Sequence, residues 1–85
     1  MKDLMCLRTE LDRLDGEIMS LLNARFALMD HVAVAKKAAG IHTTDPNREA
    51  DILEKTQRYP HAEGIAQIYR TVFEVSKSLQ RKHSS

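Results

Sequence analysis

Disulfides and zinc sites need cysteines, and Cys6 is the only cysteine in these 85 residues. The chain therefore cannot form an internal disulfide and offers zinc no thiolate pair. Its four histidines lie far apart, without the i,i+4 pair that a helical metal site uses. A domain this short buries only about 60% of its unfolded surface, so its stability as a monomer is marginal. Because disulfide and metal are excluded, we expect a partner chain to supply the missing stability.

An excess of one charge and long apolar runs are also missing. Lys and Arg number 13 against 12 Asp and Glu, a net charge of +1, which argues against a general nucleic-acid-binding protein. No apolar run approaches the roughly 20 residues of a membrane span. Residues 1–15 are acidic in part and lack the apolar core of a signal peptide. We therefore expect a cytoplasmic domain that binds neither nucleic acid nor membrane, and the unpaired cysteine agrees with that compartment.

Helix-breaking residues are few, and they divide the chain into three segments rich in helix formers. No alternating strand pattern is bounded by hairpin turns. Gly40 stands where a glycine follows a helix C-terminus, and Asp45 with Pro46 is typical of an N-cap followed by proline. The sequence predicts one all-α domain over 1–85, with a long, a short and a medium helix at about 3–39, 46–58 and 63–82.

The first helix carries an apolar seam. Apolar residues recur from Leu4 to Ala35 in steps of three and four, a heptad pattern sustained over more than four heptads. A helix over 3–39 would be roughly 55 Å long at about 1.5 Å per residue. Nothing else in the chain can cover such a rod alone, and a second copy of the chain is the simplest cover. The seam therefore predicts a homodimer.

Arg25 interrupts this seam, seven residues after Ile18 and seven before Val32. A buried guanidinium is costly unless it is paired. An internal ion pair with a carboxylate of another helix would explain it, and so would a bidentate clamp for the carboxylate of a substrate. Lys36 favours the clamp, because it returns to within about 20° of the same face roughly 16 Å further along the axis. Lys36 could equally be a helix-end lysine that complements the helix dipole.

Arg8 lies beside the seam, about 25 Å from Arg25 along the helix axis. It cannot reach the same small ligand from within its own chain. An antiparallel partner helix would bring the second copy's arginine to the middle or far end of the first helix, and a shared site would follow. A surface ion pair with Asp12 at i+4 is an equally good explanation of Arg8.

The other two helices carry two polar groups. Asp45, Arg48 and Glu49 share the first turn of the second helix. Capping alone explains Asp45, and Arg48 and Glu49 could equally be ordinary first-turn residues. Ser76 and Gln80 share a face of the third helix, and Gln80 can donate a hydrogen bond without any change of protonation. A Gly-rich phosphate loop, a GxSxG motif and a Cys/His nucleophile pair are all missing from the sequence. An enzyme with this sequence would use neither a nucleophile nor a cofactor.

Together these polar positions resemble the all-helical chorismate mutases, which are built from a long, a short and a medium helix. The resemblance covers about residues 4–80. It depends on motifs in all three helices: Leu7-Arg8 with Leu14-Asp15, Leu21-Leu22-Asn23-Ala24-Arg25, Ala35-Lys36, Asp45-Pro46-Asn47-Arg48-Glu49, and Ser76 with Gln80. It implies the rearrangement of chorismate to prephenate, a concerted intramolecular Claisen shift and the first committed step toward phenylalanine and tyrosine. It also implies that no cofactor is needed.

The resemblance further implies an intertwined homodimer with two equivalent sites. Each site would be formed mostly by one chain and completed by Arg8 of the partner subunit. Arg25 and that second arginine would clamp the two carboxylates of chorismate and hold it near its reactive geometry. Ser76 would add a hydrogen bond to one carboxylate.

The remaining polar positions are implied to act on the ether bond and the ring. Lys36 and Gln80 would donate to the ether oxygen as negative charge develops there. Glu49, with the backbone near Asp45, would hold the ring hydroxyl. Arg48 would complete the polar wall.

Two related functions share this helical scaffold. Isochorismate pyruvate lyase shares the fold and the cationic clamp, but the complete group of Asp45, Arg48 and Glu49 favours the mutase. A regulatory or dimerisation module should have lost some polar positions, and all eight are present here. A purely structural helical dimer explains the heptads and leaves Arg25 without a stated partner.

Overall fold

The computed structural model describes residues 3–41 and 45–84. This part of the chain consists of α1 (Leu4–Ala38), α2 (Pro46–Thr56) and α3 (Ala62–Ser84). The predicted all-α architecture with a long, a short and a medium helix is confirmed. The observed helix ends differ from the predicted ones by at most two residues. Residues 42–44, which belong to the turn expected before the second helix, lie outside the described residues.

Local signals set the ends of α1 and the start of α2. Asp3 caps α1 by accepting a hydrogen bond from the backbone N–H of Cys6 at 2.8 Å, and this bond is the main reason why the pKa of Asp3 lies below its ordinary value. Gly40 has a φ of 72°, a left-handed conformation that glycine adopts readily at the end of a helix. Asp45 caps α2 by accepting from the backbone N–H of Arg48 at 3.0 Å. Both the predicted C-terminal glycine and the predicted N-cap are confirmed.

The core lies between α3 and the C-terminal half of α1. The buried apolar residues are Met29 and Ala33 of α1 together with Ala66, Val72 and Phe73 of α3. Since α3 also packs against α2, it is the helix that joins the other two. This arrangement places both the C-terminal half of α1 and α2 against α3.

The N-terminal half of α1 projects beyond this core. Residues 11–20 are all exposed, and Leu11, Leu14 and Ile18 are 55%, 43% and 53% exposed. The radius of gyration is 16.3 Å, whereas a compact chain of this length would have one of about 12 Å. The apolar seam that predicts a partner chain is therefore uncovered in the single chain.

By length and composition alone, α1 could also cross a membrane. The core helix of a globular protein passes the same test, so the structure has to decide between the two. Arg25, in the middle of α1, donates a hydrogen bond to Ser76 of α3. The part of α1 around Arg25 therefore packs on α3, and the absence of membrane binding stays a prediction.

Candidate active site

A cavity of about 240 Å³ is lined by residues of α1, α2 and α3. Seven of the eight residues selected from the sequence line it: Arg25, Lys36, Asp45, Arg48, Glu49, Ser76 and Gln80. They come from three helices and meet because α3 packs on both of the others. The eighth, Arg8, does not line the cavity.

Arg25 contacts α3 through a hydroxyl and an aromatic ring. Its Nη1 donates to Oγ of Ser76 at 2.6 Å, and its Cζ lies 5.9 Å from the ring centroid of Phe73. The internal ion pair that would also explain Arg25 is not formed with any described carboxylate. A hydroxyl and a ring occupy only part of the five N–H donors of a guanidinium. Arg25 can therefore still bind a carboxylate from a ligand.

Ser76 is buried and its only proton is already used. Its Oγ accepts from Arg25 and donates to the backbone carbonyl of Val72 at 2.7 Å. In this arrangement the hydroxyl holds the guanidinium in place, and it would have to rotate to donate to a ligand. Ser76 therefore contacts the guanidinium directly, which its place in the sequence does not reveal.

Lys36 and Gln80 meet across the cavity. The Nζ of Lys36 donates to Oε1 of Gln80 at 2.8 Å, and Nε2 of Gln80 donates to Sδ of Met29 at 3.4 Å. These two contacts fix the orientation of the amide. Because an amide nitrogen has two N–H groups, Gln80 keeps one donor beyond the contact with Met29. The ammonium of Lys36 thus lies against the amide group of Gln80, and that amide keeps one N–H for a ligand.

The wall formed by α2 carries both signs of charge. Glu49 forms an ion pair with Lys77 of α3, with 3.1 Å between Oε2 and Nζ. Arg48 is exposed and lines the same cavity, while Asp45 is engaged in capping α2. The lining as a whole contains four cationic side chains and two carboxylates, so it favours an anionic ligand.

Sequence reasoning missed Lys77 and the apolar part of the lining. The apolar residues are Leu28, Met29, Val32, Ile52 and Phe73. On α1 they lie three, four and seven residues after Arg25, and this helical spacing could have identified them. Lys77 follows Ser76 directly and precedes Gln80 by three residues, a spacing that places it near the same face. In the part of the chain that the structure describes, no three His, Cys, Asp or Glu residues are grouped to hold a metal ion.

Arg8 is exposed on the projecting half of α1. Its ion pair with Asp12, which is one explanation of its presence, is not formed in the structure. Seventeen residues separate it from Arg25, which corresponds to about 25 Å along the helix. A straight α1 keeps it away from the cavity of its own chain.

Comparison with known proteins gives consistent matches. Residues 7–81 match the family described as chorismate mutase type II. The chain is 35% identical over 91 aligned positions to the bifunctional chorismate mutase/prephenate dehydratase of Aquifex aeolicus, covering 96% of the chain and 25% of that protein. It is 27% identical over 82 positions to the chorismate mutase of Methanocaldococcus jannaschii, covering 91% of the chain and 83% of that protein. The chain thus spans a quarter of the first relative and most of the second.

Proposed function

Since this chain belongs to the chorismate mutase type II family, we propose that it catalyses the rearrangement of chorismate to prephenate. The family match confirms the resemblance indicated by the polar positions of the three helices. The observation that carries the proposal is that Arg25, Lys36 and Gln80 line the same cavity. Such a site suits a reaction that needs restraint of the substrate conformation and stabilisation of developing charge, without a covalent intermediate.

Substrate binding follows from the charge of the cavity. Chorismate carries two carboxylates, and its reactive conformer folds the enolpyruvyl arm over the ring. Arg25 clamps one carboxylate through the donors that Ser76 does not use, and a guanidinium suits this bidentate geometry. Because Ser76 and Phe73 hold the guanidinium, little of its side-chain freedom remains to be lost on binding. Restraint of the folded conformer then lowers the barrier.

Lys36 and Gln80 act on the ether oxygen. As the C–O bond breaks, negative charge develops on this atom, and the ammonium and the amide N–H donate to it. Their mutual hydrogen bond at 2.8 Å holds both donors together before the substrate arrives. Donors placed in advance stabilise the transition state more than the ground state, because the charge appears only there.

The α2 wall binds the ring. Glu49, with the backbone near Asp45, accepts from the ring hydroxyl, and Arg48 closes the polar wall. All three line the cavity. The apolar lining on the other side, which includes Val32 and Ile52, packs against the carbon skeleton.

An intertwined homodimer completes the proposal, with Arg8 of the partner subunit binding the second carboxylate. Two observations support it: the uncovered seam over residues 11–20 and the exposed position of Arg8 at the far end of the same helix. In a single chain, neither the uncovered seam nor Arg8 has a function. The proposed location is the cytoplasm.

The purified protein should be incubated with chorismate and, separately, with isochorismate, and the products separated by chromatography. We expect prephenate from chorismate. Pyruvate released from isochorismate as the main activity would favour the lyase, and no turnover of either compound would favour a regulatory module. Absence of chorismate turnover contradicts the proposed function in both cases.

The shared site is tested by mixing two inactive homodimers, Arg8→Ala and Arg25→Ala, under conditions of subunit exchange. Each heterodimer has one site with both substitutions and one site with neither. Random exchange of equal amounts therefore restores about a quarter of the wild-type sites, since half of the dimers are mixed. The unmixed variants are the controls. If exchange is demonstrated and activity does not return, Arg8 does not act across the interface.

A further inference from the structure

Lys77 lines the cavity, and the mechanism so far gives it no task. Its Nζ lies 3.1 Å from Oε2 of Glu49, and the pair joins α3 to α2. The two side chains are 32% and 27% exposed, so both are largely withdrawn from water. This cation is only partly exposed and contacts a residue that the proposed mechanism uses.

The neighbours of Glu49 at the start of α2, residues 45–48 and 50–51, are all exposed. The apolar anchors of α2, Ile52 and Leu53, are only half-buried, and its buried residue, Thr56, lies two turns away at the other end. The ion pair with Lys77 is therefore the polar contact that ties this turn to α3. Without it, nothing in the described contacts of Glu49 fixes the direction of the carboxylate.

We propose that Lys77 is a positioning residue for Glu49. By binding Oε2, Lys77 leaves Oε1 as the acceptor for the ring hydroxyl of the substrate. Its positive charge also offsets the charge of Glu49, which would otherwise repel a substrate with two carboxylates. This inference rests on the proposed function, because it assigns the pair to the binding of the chorismate ring.

Two other roles for Lys77 fit the structure less well. A mainly stabilising role would gain little, since partly exposed ion pairs contribute little to stability. A direct clamp on a substrate carboxylate would bring that carboxylate against Glu49, which already occupies the ammonium. Positioning of Glu49 is the role that keeps the observed ion pair between Lys77 and Glu49.

The experiment uses steady-state kinetics with chorismate on a double-mutant cycle. The variants are Lys77→Gln, Glu49→Gln and their combination, with Lys77→Arg as the conservative rescue. Lys55→Gln removes the same charge from the exposed side of α2 and is the matched control. We expect Lys77→Gln to raise KM about tenfold, a change of about 1.4 kcal/mol, with a smaller change in kcat. Lys77→Arg restores most of the affinity, and Lys55→Gln matches the wild type.

The combination decides whether Lys77 acts through Glu49. In the Glu49→Gln background, Lys77→Gln should change KM little, because the residue that it positions is already altered. An equal rise in KM in both backgrounds overturns the proposal and shows an independent effect of the lysine on the substrate. An unchanged KM in Lys77→Gln, or a failure of arginine to rescue, also overturns it.

Thermal unfolding of the same proteins separates this inference from the proposed function. The pairing predicts that Lys77→Gln lowers Tm by only about 1–5 °C in the wild-type background, as expected of a partly exposed ion pair, and leaves it nearly unchanged in the Glu49→Gln background. If the wild type does not turn over chorismate, the proposed function is wrong, and the Tm cycle still tests whether the two residues are coupled. Equal Tm shifts in both backgrounds overturn the positioning of Glu49 by Lys77.

Discussion

Changing Gln80 to glutamate replaces a permanent hydrogen-bond donor with one that depends on protonation. In the structure, Oε1 of Gln80 accepts from Lys36 at 2.8 Å, and the N–H groups on Nε2 are the donors. Glutamate keeps an oxygen for Lys36 and loses those donors, so it can donate to the ether oxygen only when protonated. We therefore expect Gln80→Glu to be active in acid and to lose most of its activity at neutral pH.

The size of the loss follows from the protonated fraction. A glutamate with an ordinary pKa of about 4.3 is protonated in only about 0.2% of molecules at pH 7. The adjacent Lys36 ammonium favours the charged form and lowers this fraction further. If kcat follows the protonated fraction, it falls at least about 500-fold, or about 3.7 kcal/mol, between the fully protonated enzyme and pH 7. The decrease in kcat is smaller only if hydrogen-bond donation by Lys36 alone sustains a residual rate.

The assay is kcat for prephenate formation between about pH 5 and pH 8, where the ionised glutamate predominates and kcat of Gln80→Glu should fall about tenfold per pH unit. Wild-type kcat should show no loss from this residue over the range, since an amide does not titrate. Gln57→Glu places the same new carboxylate at the exposed end of α2 and should follow the wild type.

Two results would refute the role of Gln80. One is a Gln80→Glu variant whose kcat has the same pH profile as the wild type, since its carboxylate cannot donate. The other is a steep loss of wild-type activity between mildly acidic and neutral pH that Gln80→Ala abolishes. Either would mean that the amide is not the donor to the ether oxygen.

Met29→Leu removes the sulfur that accepts a hydrogen bond from Gln80 at 3.4 Å and keeps most of the side-chain volume. We therefore expect kcat to fall about threefold with KM nearly unchanged. An unchanged kcat would mean that the sulfur does not orient the amide. Asp3 has a lowered pKa in the folded chain, so its stabilisation is present above its ordinary pKa of 3.8 and is lost as pH falls through the lower folded value. Urea unfolding of Asp3→Ala should lack this acid-dependent loss, and a loss equal to that of the wild type would assign it to other groups. Gly40→Ala forces a φ of 72° on a residue with a side chain and should lower the free energy of unfolding by about 1 kcal/mol in the same assay. An unchanged free energy of unfolding would contradict the left-handed conformation of this residue.

Much of the candidate site could be predicted because helical periodicity is local. Arg25 and Lys36 share a face of α1 through the 3.6-residue repeat, and Ser76 and Gln80 share one of α3 through the i,i+4 spacing. Lys77 was not predicted, because a charged residue on an amphipathic helix is usually solvated. Only the packing of α3 against α2 shows that it faces Glu49.

The contact partners of the site residues could not be predicted from the sequence. A carboxylate was one expected partner for Arg25, and the structure has Ser76 and Phe73 instead. Which atom a buried cation meets depends on the relative rotation of two packed helices, and no pattern within either helix determines that rotation. The same reason hides the contact between Gln80 and Met29, whose residues lie 51 positions apart.

By itself, the sequence determined three helices, their approximate ends and an apolar seam too long for one chain to cover. These properties depend on caps, turn residues and periodic apolar positions, which act within a few residues of one another. Only the tertiary structure decided that seven polar residues from three helices line one cavity and that Glu49 meets Lys77 there. Those contacts arise when α3 packs on both other helices, because packing brings together side chains that the chain itself keeps far apart.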